Sequence, residues 1–164
     1  IPLRGNLETR LKKLNSEGLD AIILAAAGLI RLGWEDRIAE FISPEILLPA
    51  MGQGAVGIET RKNDVDNQIL LAEMDDEETH YALDAERALV SQLEGGCNVP
   101  IGSFATIKED QITLTGLVAS LDGKKIYKKE LTDLKTNAIA LGRKMGEDLI
   151  ELGADQIIKE IQSM

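Results

Sequence analysis

Apolar residues change their spacing several times along this chain, and each change marks an expected element. Leu7, Leu11 and Leu14 recur at i, i+4 and i+7, which predicts a helix over about residues 6–16. Asn6 is its expected N-cap, Glu8 suits the positive end of the helix dipole, and Gly18 stops it. Residues 21–25 form a continuous apolar run, the pattern of a strand buried on both faces, as in a parallel sheet. Short helical turns are expected around residues 28–32 and 36–41. Helix alternating with buried strand is the grammar of an α/β unit.

Ser43-Pro44 is a natural break, because the residue before proline is pushed out of the helical region. Residues 48–55, Leu-Pro-Ala-Met-Gly-Gln-Gly-Ala, read as a hinge between two lobes, with few side chains to pack. A strand is expected over 55–60 and a short helix over 64–73, with Val65, Ile69 and Ala72 on one face. The acidic run Asp75-Asp76-Glu77-Glu78 suits a helix start, and Ala82, Ala85, Leu89 and Leu93 continue that helix to Gly95-Gly96. Three strands are predicted at about 101–107, 111–120 and 124–131, with turns at Glu109-Asp110 and Asp122-Gly123. In the middle strand Ile112 and Leu114, then Leu117 and Ala119, predict a change of parity near Gly116. Helices over about 134–152 and 154–162 complete an α+β unit spanning 75–164.

Composition narrows the class. A chain of 164 residues, 44% hydrophobic and 28% charged, is long enough to bury a real core in one domain or two small ones. The net charge of −10 argues against a nucleic-acid partner. Residues 1–37 nevertheless hold six Lys and Arg against five Asp and Glu, so the acidity lies in the remainder. The longest apolar run, 21–30, contains a glycine and is too short for a bilayer. No basic-then-apolar leader suggests export, and a lone cysteine fits a reducing cytoplasm. The opening Ile1-Pro2-Leu3-Arg4-Gly5 reads as a strand tail entering a loop, so the chain is expected to be a piece of something longer.

Few residues stand out chemically. His80, the only histidine, has no Ser or Cys partner at motif spacing and reads as structural. Neither metal-ligand spacing nor a dinucleotide or Walker loop is present, and Gly52-Gln53-Gly54 is too short for a phosphate cradle. Arg4 precedes a helix N-terminus whose free amides favour an anion, and Arg10 lies in the same helix. Arg31 lies beyond the carboxyl end of the expected strand, where ligands bind in open α/β sheets. Guanidinium groups grip carboxylates bidentately, so the three suit a polycarboxylate; ordinary surface charge is the plainer reading of any one. Cys97 follows a helix C-terminus, which does not lower a thiol pKa, and nothing near in sequence activates it. A cycling nucleophile is disfavoured, while an inert packing thiol and a stable covalent attachment point both remain open.

Five stretches then agree. Residues 3–11 (LRGNLETRL), 20–25 (DAIILA), 27–33 (AGLIRLG), 48–55 (LPAMGQGA) and 94–102 (EGGCNVPIG) resemble, in order, the porphobilinogen deaminase (hydroxymethylbilane synthase) family. The resemblance implies a three-domain transferase of tetrapyrrole (heme) synthesis. It joins four porphobilinogen units head to tail with release of ammonia, and hydrolysis frees hydroxymethylbilane. It implies a dipyrromethane cofactor bound by a thioether to Cys97, a primer that stays on the enzyme. It also implies that Arg4, Arg10 and Arg31 hold acetate and propionate groups of cofactor and substrate, with Asn6, Gly28 and Gln53 lining the same cleft. No metal is implied.

The departure from the family is length. On the resemblance, residues 1–48 are the latter part of domain 2, 49–54 a hinge, 55–74 a segment returning to domain 1, and 75–164 the complete domain 3. The family's N-terminal half, with its catalytic aspartate, has no counterpart here, so this chain alone is expected to be inactive. The fold class expected is thus α/β, as partial periplasmic-binding-protein-like lobes, followed by an α+β domain with a three-stranded antiparallel sheet and flanking helices. The expected partners are porphobilinogen, the growing oligopyrrole and the N-terminal half, with no nucleic acid and no membrane. A cytoplasmic monomer is expected at full length. The alternative is a non-catalytic small-anion binding module, which leaves the glycine-flanked Cys97 without a purpose. A third reading, residues 75–164 as an interaction domain, leaves the three arginines unexplained.

Overall fold

The computed structural model describes residues 1–93 and 99–163. The chain forms two compact units, residues 1–42 and 43–164.

In the first unit, α1 runs Leu7–Ser16 and α2 runs Ala26–Arg31, followed by a single 3-10 turn at Glu35–Arg37. The Asn6 side-chain oxygen accepts the Thr9 N–H at 2.8 Å, capping α1 as expected. The expected strand over 21–25 does not form. The segment lies between the helices with Ile23 70% exposed, and no strand among the described residues of this unit offers it a ladder. A strand's backbone groups need a neighbouring strand, which local apolar character cannot supply. The second helical turn shrinks to Glu35–Arg37 for want of a packed apolar face, leaving Phe41 61% exposed.

The second unit carries the sheet. After the crossover, residues 55–60 form no strand, again correcting the expectation, and α3 spans Val65–Ala72 with Val65 and Ile69 exposed. The long helix α4, Glu77–Gln92, is capped by Asp76, whose carboxylate accepts the Thr79 N–H at 2.7 Å. Strands β1 (Ile101–Lys108), β2 (Gln111–Ala119) and β3 (Ile126–Leu134) then pair antiparallel in the order β1-β2-β3. Helices α5 (Ala138–Glu151) and α6 (Ala154–Gln162) follow.

Two further expectations for this unit change. The β2 ladder runs without a break in register, and Ile112, Leu114, Gly116 and Val118 all face inward. Parity does not change near Gly116. Glycine occupies an inward position there because a Cβ would come within 2.9 Å of Leu89 Cδ2 and 3.0 Å of Met145 Cγ. Strand β3 also runs three residues beyond its expected end at 131, pairing Leu134 with Gln111 and Thr132 with Thr113, whose hydroxyls meet at 3.0 Å. Those cross-strand partners hold Leu134 in the sheet, so α5 starts later.

The core lies between the inner face of this sheet and α4, α5 and α6. Leu89, Ile112, Leu114, Met145 and Leu149 are fully buried. Burying one such side chain contributes roughly 1.5–3 kcal/mol. Helices α4 and α5 approach closely at Gly142 and Gly146: a Cβ on Gly142 would lie 2.2 Å from the Ala85 carbonyl oxygen.

Candidate functional site

The three predicted arginines all belong to the first unit. Arg4 precedes Gly5, whose φ of +123° places it in a region favoured by glycine, where the chain turns into α1. Arg10 lies on α1 and is half-buried, and its Nε is buried with no hydrogen-bond partner among the described residues. Arg31 ends α2 and is exposed. A buried donor without an acceptor costs about 1–3 kcal/mol, so the Arg10 Nε is poised for an incoming oxygen.

Asn6 and Gly28 serve the scaffold that carries these arginines. The Asn6 oxygen is engaged in capping α1. Gly28 lets α2 close on α1: a Cβ there would sit 2.8 Å from Leu7 Cδ1.

In the second unit, Gln53 lies exposed on the crossover, beside a groove of about 210 Å³. One wall is made by crossover residues between Pro49 and Ala55, without Met51; the other is made by Thr79, Ala82, Leu83 and Glu86 of α4 with Phe104 and Ala105 of β1. The crossover is fastened to β1 where the Ser103 N–H donates to the Pro49 carbonyl at 3.1 Å. Glu86, only 6% exposed, accepts the Gly52 N–H at 2.7 Å and the Ala105 N–H at 2.9 Å. Burial pushes its carboxyl above the usual range, partly offset by these two donors.

Sequence reasoning passed over Glu86. The signal was present: it lies four residues after Ala82 and three before Leu89, a charge on the apolar stripe of α4. Asp148 was passed over likewise. It is 6% exposed on α5 and held between Lys129 at 2.5 Å and Lys144 at 2.6 Å. Hydrogen bonds from those two lysines hold its carboxyl below the usual range. His80 pairs with Asp75 at 2.5 Å on the exposed start of α4.

Cys97 lies outside the described residues. The residues that flank that stretch, Leu93 and Val99, are both in the core, 3% and 9% exposed. Among the described residues no cluster of His, Cys, Asp and Glu could hold a metal ion, and no helix is long and apolar enough to cross a membrane.

Comparison with known proteins bears on both units. Residues 1–69 match the family described as porphobilinogen deaminase, dipyromethane cofactor binding domain, and residues 81–151 match porphobilinogen deaminase, C-terminal domain. The chain is 48% identical over 159 residues to the porphobilinogen deaminase of Syntrophobacter fumaroxidans, covering 97% of this chain and 52% of that protein. It is 52% identical over 159 residues to that of Ruthia magnifica subsp. Calyptogena magnifica, with the same coverage of 97% and 52%. It is 47% identical over 161 residues to that of Desulforamulus reducens, covering 98% and 52%. The chain therefore spans about half the length of the curated relatives it matches. Two domain matches in succession, and identity of this level over nearly every residue, establish that the chain belongs to the porphobilinogen deaminase family.

Proposed function

We propose that this chain is the C-terminal portion of a transferase that joins four porphobilinogen units into hydroxymethylbilane, releasing ammonia at each addition. The observation that carries the reading is the Arg10 guanidinium, whose Nε is buried and has no partner among the described residues, within the stretch that matches the cofactor-binding domain. A cofactor bearing acetate and propionate groups has the oxygens such a donor lacks, so the residues present fit a dipyrromethane.

Within that reading each residue has a task. Cys97 holds the cofactor through a thioether, acting as a tether rather than as a base-activated nucleophile in each turnover. Arg4, Arg10 and Arg31 grip carboxylates. Asn6 and Gly28 act indirectly, by capping α1 and letting α2 approach it, and Gln53 offers an exposed carboxamide from the crossover. When bound, the dipyrromethane supplies the primer on which the oligopyrrole grows.

The domain plan follows from the same proposal. Residues 1–48 and 55–74 belong to two periplasmic-binding-protein-like lobes joined by the hinge at 49–54, and 75–164 form the third domain. The exposed Ile23, Val56 and Ile58 are the apolar positions that lobe strands from the N-terminal half would cover. The catalytic aspartate lies in that half, so this chain by itself turns over no substrate. At full length the protein is a cytoplasmic monomer.

Intact mass at the relatives' full length tests the tether. The wild type should carry two linked pyrroles, and Cys97→Ser should carry none. An unmodified wild type that still makes tetrapyrrole overturns the role of Cys97. An unmodified, inactive protein that binds small polycarboxylates through Arg4 and Arg10 returns the reading to an anion-binding module. Arg10→Leu should slow primer assembly or chain extension about tenfold or more, the worth of one charge-assisted hydrogen bond; unchanged kinetics remove it from the site.

A further inference from the structure

Glu86 divides its carboxylate between two segments distant in sequence. Oε2 takes the Gly52 N–H of the crossover at 2.7 Å, and Oε1 takes the Ala105 N–H of β1 at 2.9 Å. The side chain is buried, and no Lys, Arg or His among the described residues is bonded to it. The neighbours that line the groove beside it, among them Gln53, Thr79, Leu83 and Phe104, carry no other ionisable group. A buried carboxylate without a counter-ion is costly, and packing alone would be better served by an apolar residue at this point of α4. What the carboxylate provides, and an apolar side chain cannot, is two acceptors aimed at two backbone donors. Gly52 presents its N–H from a backbone with φ of +70°, so the turn that aims the donor also requires glycine.

We propose that Glu86 is a positioning residue: its carboxylate docks the crossover onto the C-terminal unit and thereby sets where Gln53 stands. This rests on the deaminase reading only in taking the crossover for the hinge. Among the described residues the crossover also meets β1 through the Ser103–Pro49 backbone bond and the close fit of Leu48 over Gly102, where a Cβ would lie 2.9 Å from Leu48 Cβ. Both lie upstream of Gly52. Leu83 of α4 packs at Gly52, where a Cβ would lie 3.3 Å from Leu83 Cδ2, but among the described residues Glu86 supplies the hydrogen bond from α4 to the crossover.

Glutamine at this position has one carbonyl oxygen and one NH₂, so it can satisfy one of the two N–H groups and faces the other with a donor. In the 164-residue chain, E86Q should speed amide hydrogen exchange at Gly52 or Ala105 by about tenfold or more, the loss of one charge-assisted bond. Exchange at Ile112 and Leu114 in β2 should stay unchanged. Equal acceleration at all four amides, or none at Gly52 and Ala105, overturns the proposal. A second measurement needs no variant: the Gly52 and Ala105 amide protons of the wild type should shift together with one common titration midpoint. Separate midpoints, or no titration, overturn it equally. Failure of the deaminase reading would show instead as an unmodified Cys97 at full length, with both amide readouts unaffected.

Discussion

Residues 1–42 and residues 43–164 differ in how far each completes its own core. In the first unit Leu29 is the sole buried apolar side chain among the described residues, at 5% exposure, and the apolar run 21–25 lies without a ladder. In the second, a three-stranded sheet and three helices enclose Leu89, Ile112, Leu114, Met145 and Leu149. The lesson concerns where an element finds its partners. Antiparallel strands joined by short turns bring their neighbours with them, whereas a strand buried on both faces depends on neighbouring strands and on layers from distant sequence. The Arg10 Nε has no acceptor among the described residues, while the second unit supplies two donors even to a buried Glu86.

The contrast can be broken most forcefully at the helix–sheet core. Leu89→Ala removes a fully buried side chain and should destabilise the second unit by about 2–5 kcal/mol. Chemical denaturation followed at Tyr127 should show the loss, and Trp34 of the first unit should report little of it. A Trp34 signal that moves in step with Tyr127 would mean that the two units unfold as one.

Next in size is the α4–α5 approach. Gly142→Ala adds a methyl where the Ala85 carbonyl already stands, and overpacking of this kind costs about 1–3 kcal/mol. Alanine favours an isolated helix over glycine by about 1 kcal/mol, so a stabilised variant would disprove the close approach.

The two buried carboxylates of the second unit should respond to pH with opposite sign. The lysine pair holds Asp148 below its ordinary range, so its stabilisation is present above the unfolded value and is lost as pH falls through the folded one. The stability advantage of wild type over Asp148→Asn should therefore shrink in acid. Burial raises the Glu86 carboxyl, so the stability of wild type relative to Glu86→Gln is greatest below the unfolded value and declines as pH rises through the folded one. Parallel pH profiles for the two pairs, measured by denaturation, would refute the assignment of causes.

The smallest effect is expected in the first unit. Asn6→Ala removes the cap of α1 and should cost about 1 kcal/mol locally, seen as faster exchange at Thr9 with the second unit's denaturation midpoint unchanged. An unchanged Thr9 amide would return Asn6 to the role of a ligand in the cleft.

Much of this was legible in the residues. The cap at Asn6, the acidic start of α4, the end of that helix, the three strands and the turn at Asp122-Gly123 all follow from local chemistry, since each signal and its partner lie within a few residues. The arginines were legible as residue types, and the family was legible from five ordered stretches. The inward Gly116 was misread, because its reason is the volume of Leu89, Met145 and Leu149, which come from two helices far along the chain. Glu86 was overlooked for a similar reason: its two donors lie 34 and 19 residues away.

By itself, then, the amino-acid order determined the secondary structure wherever hydrophobic period, cap and turn act over a few residues, and it carried the family resemblance. Tertiary structure decided which apolar runs obtained partners, which glycines are required by another helix, and which buried carboxylate fastens the crossover. Propensity and capping are summed along the chain, whereas burial and hydrogen-bond satisfaction are settled only when distant segments meet.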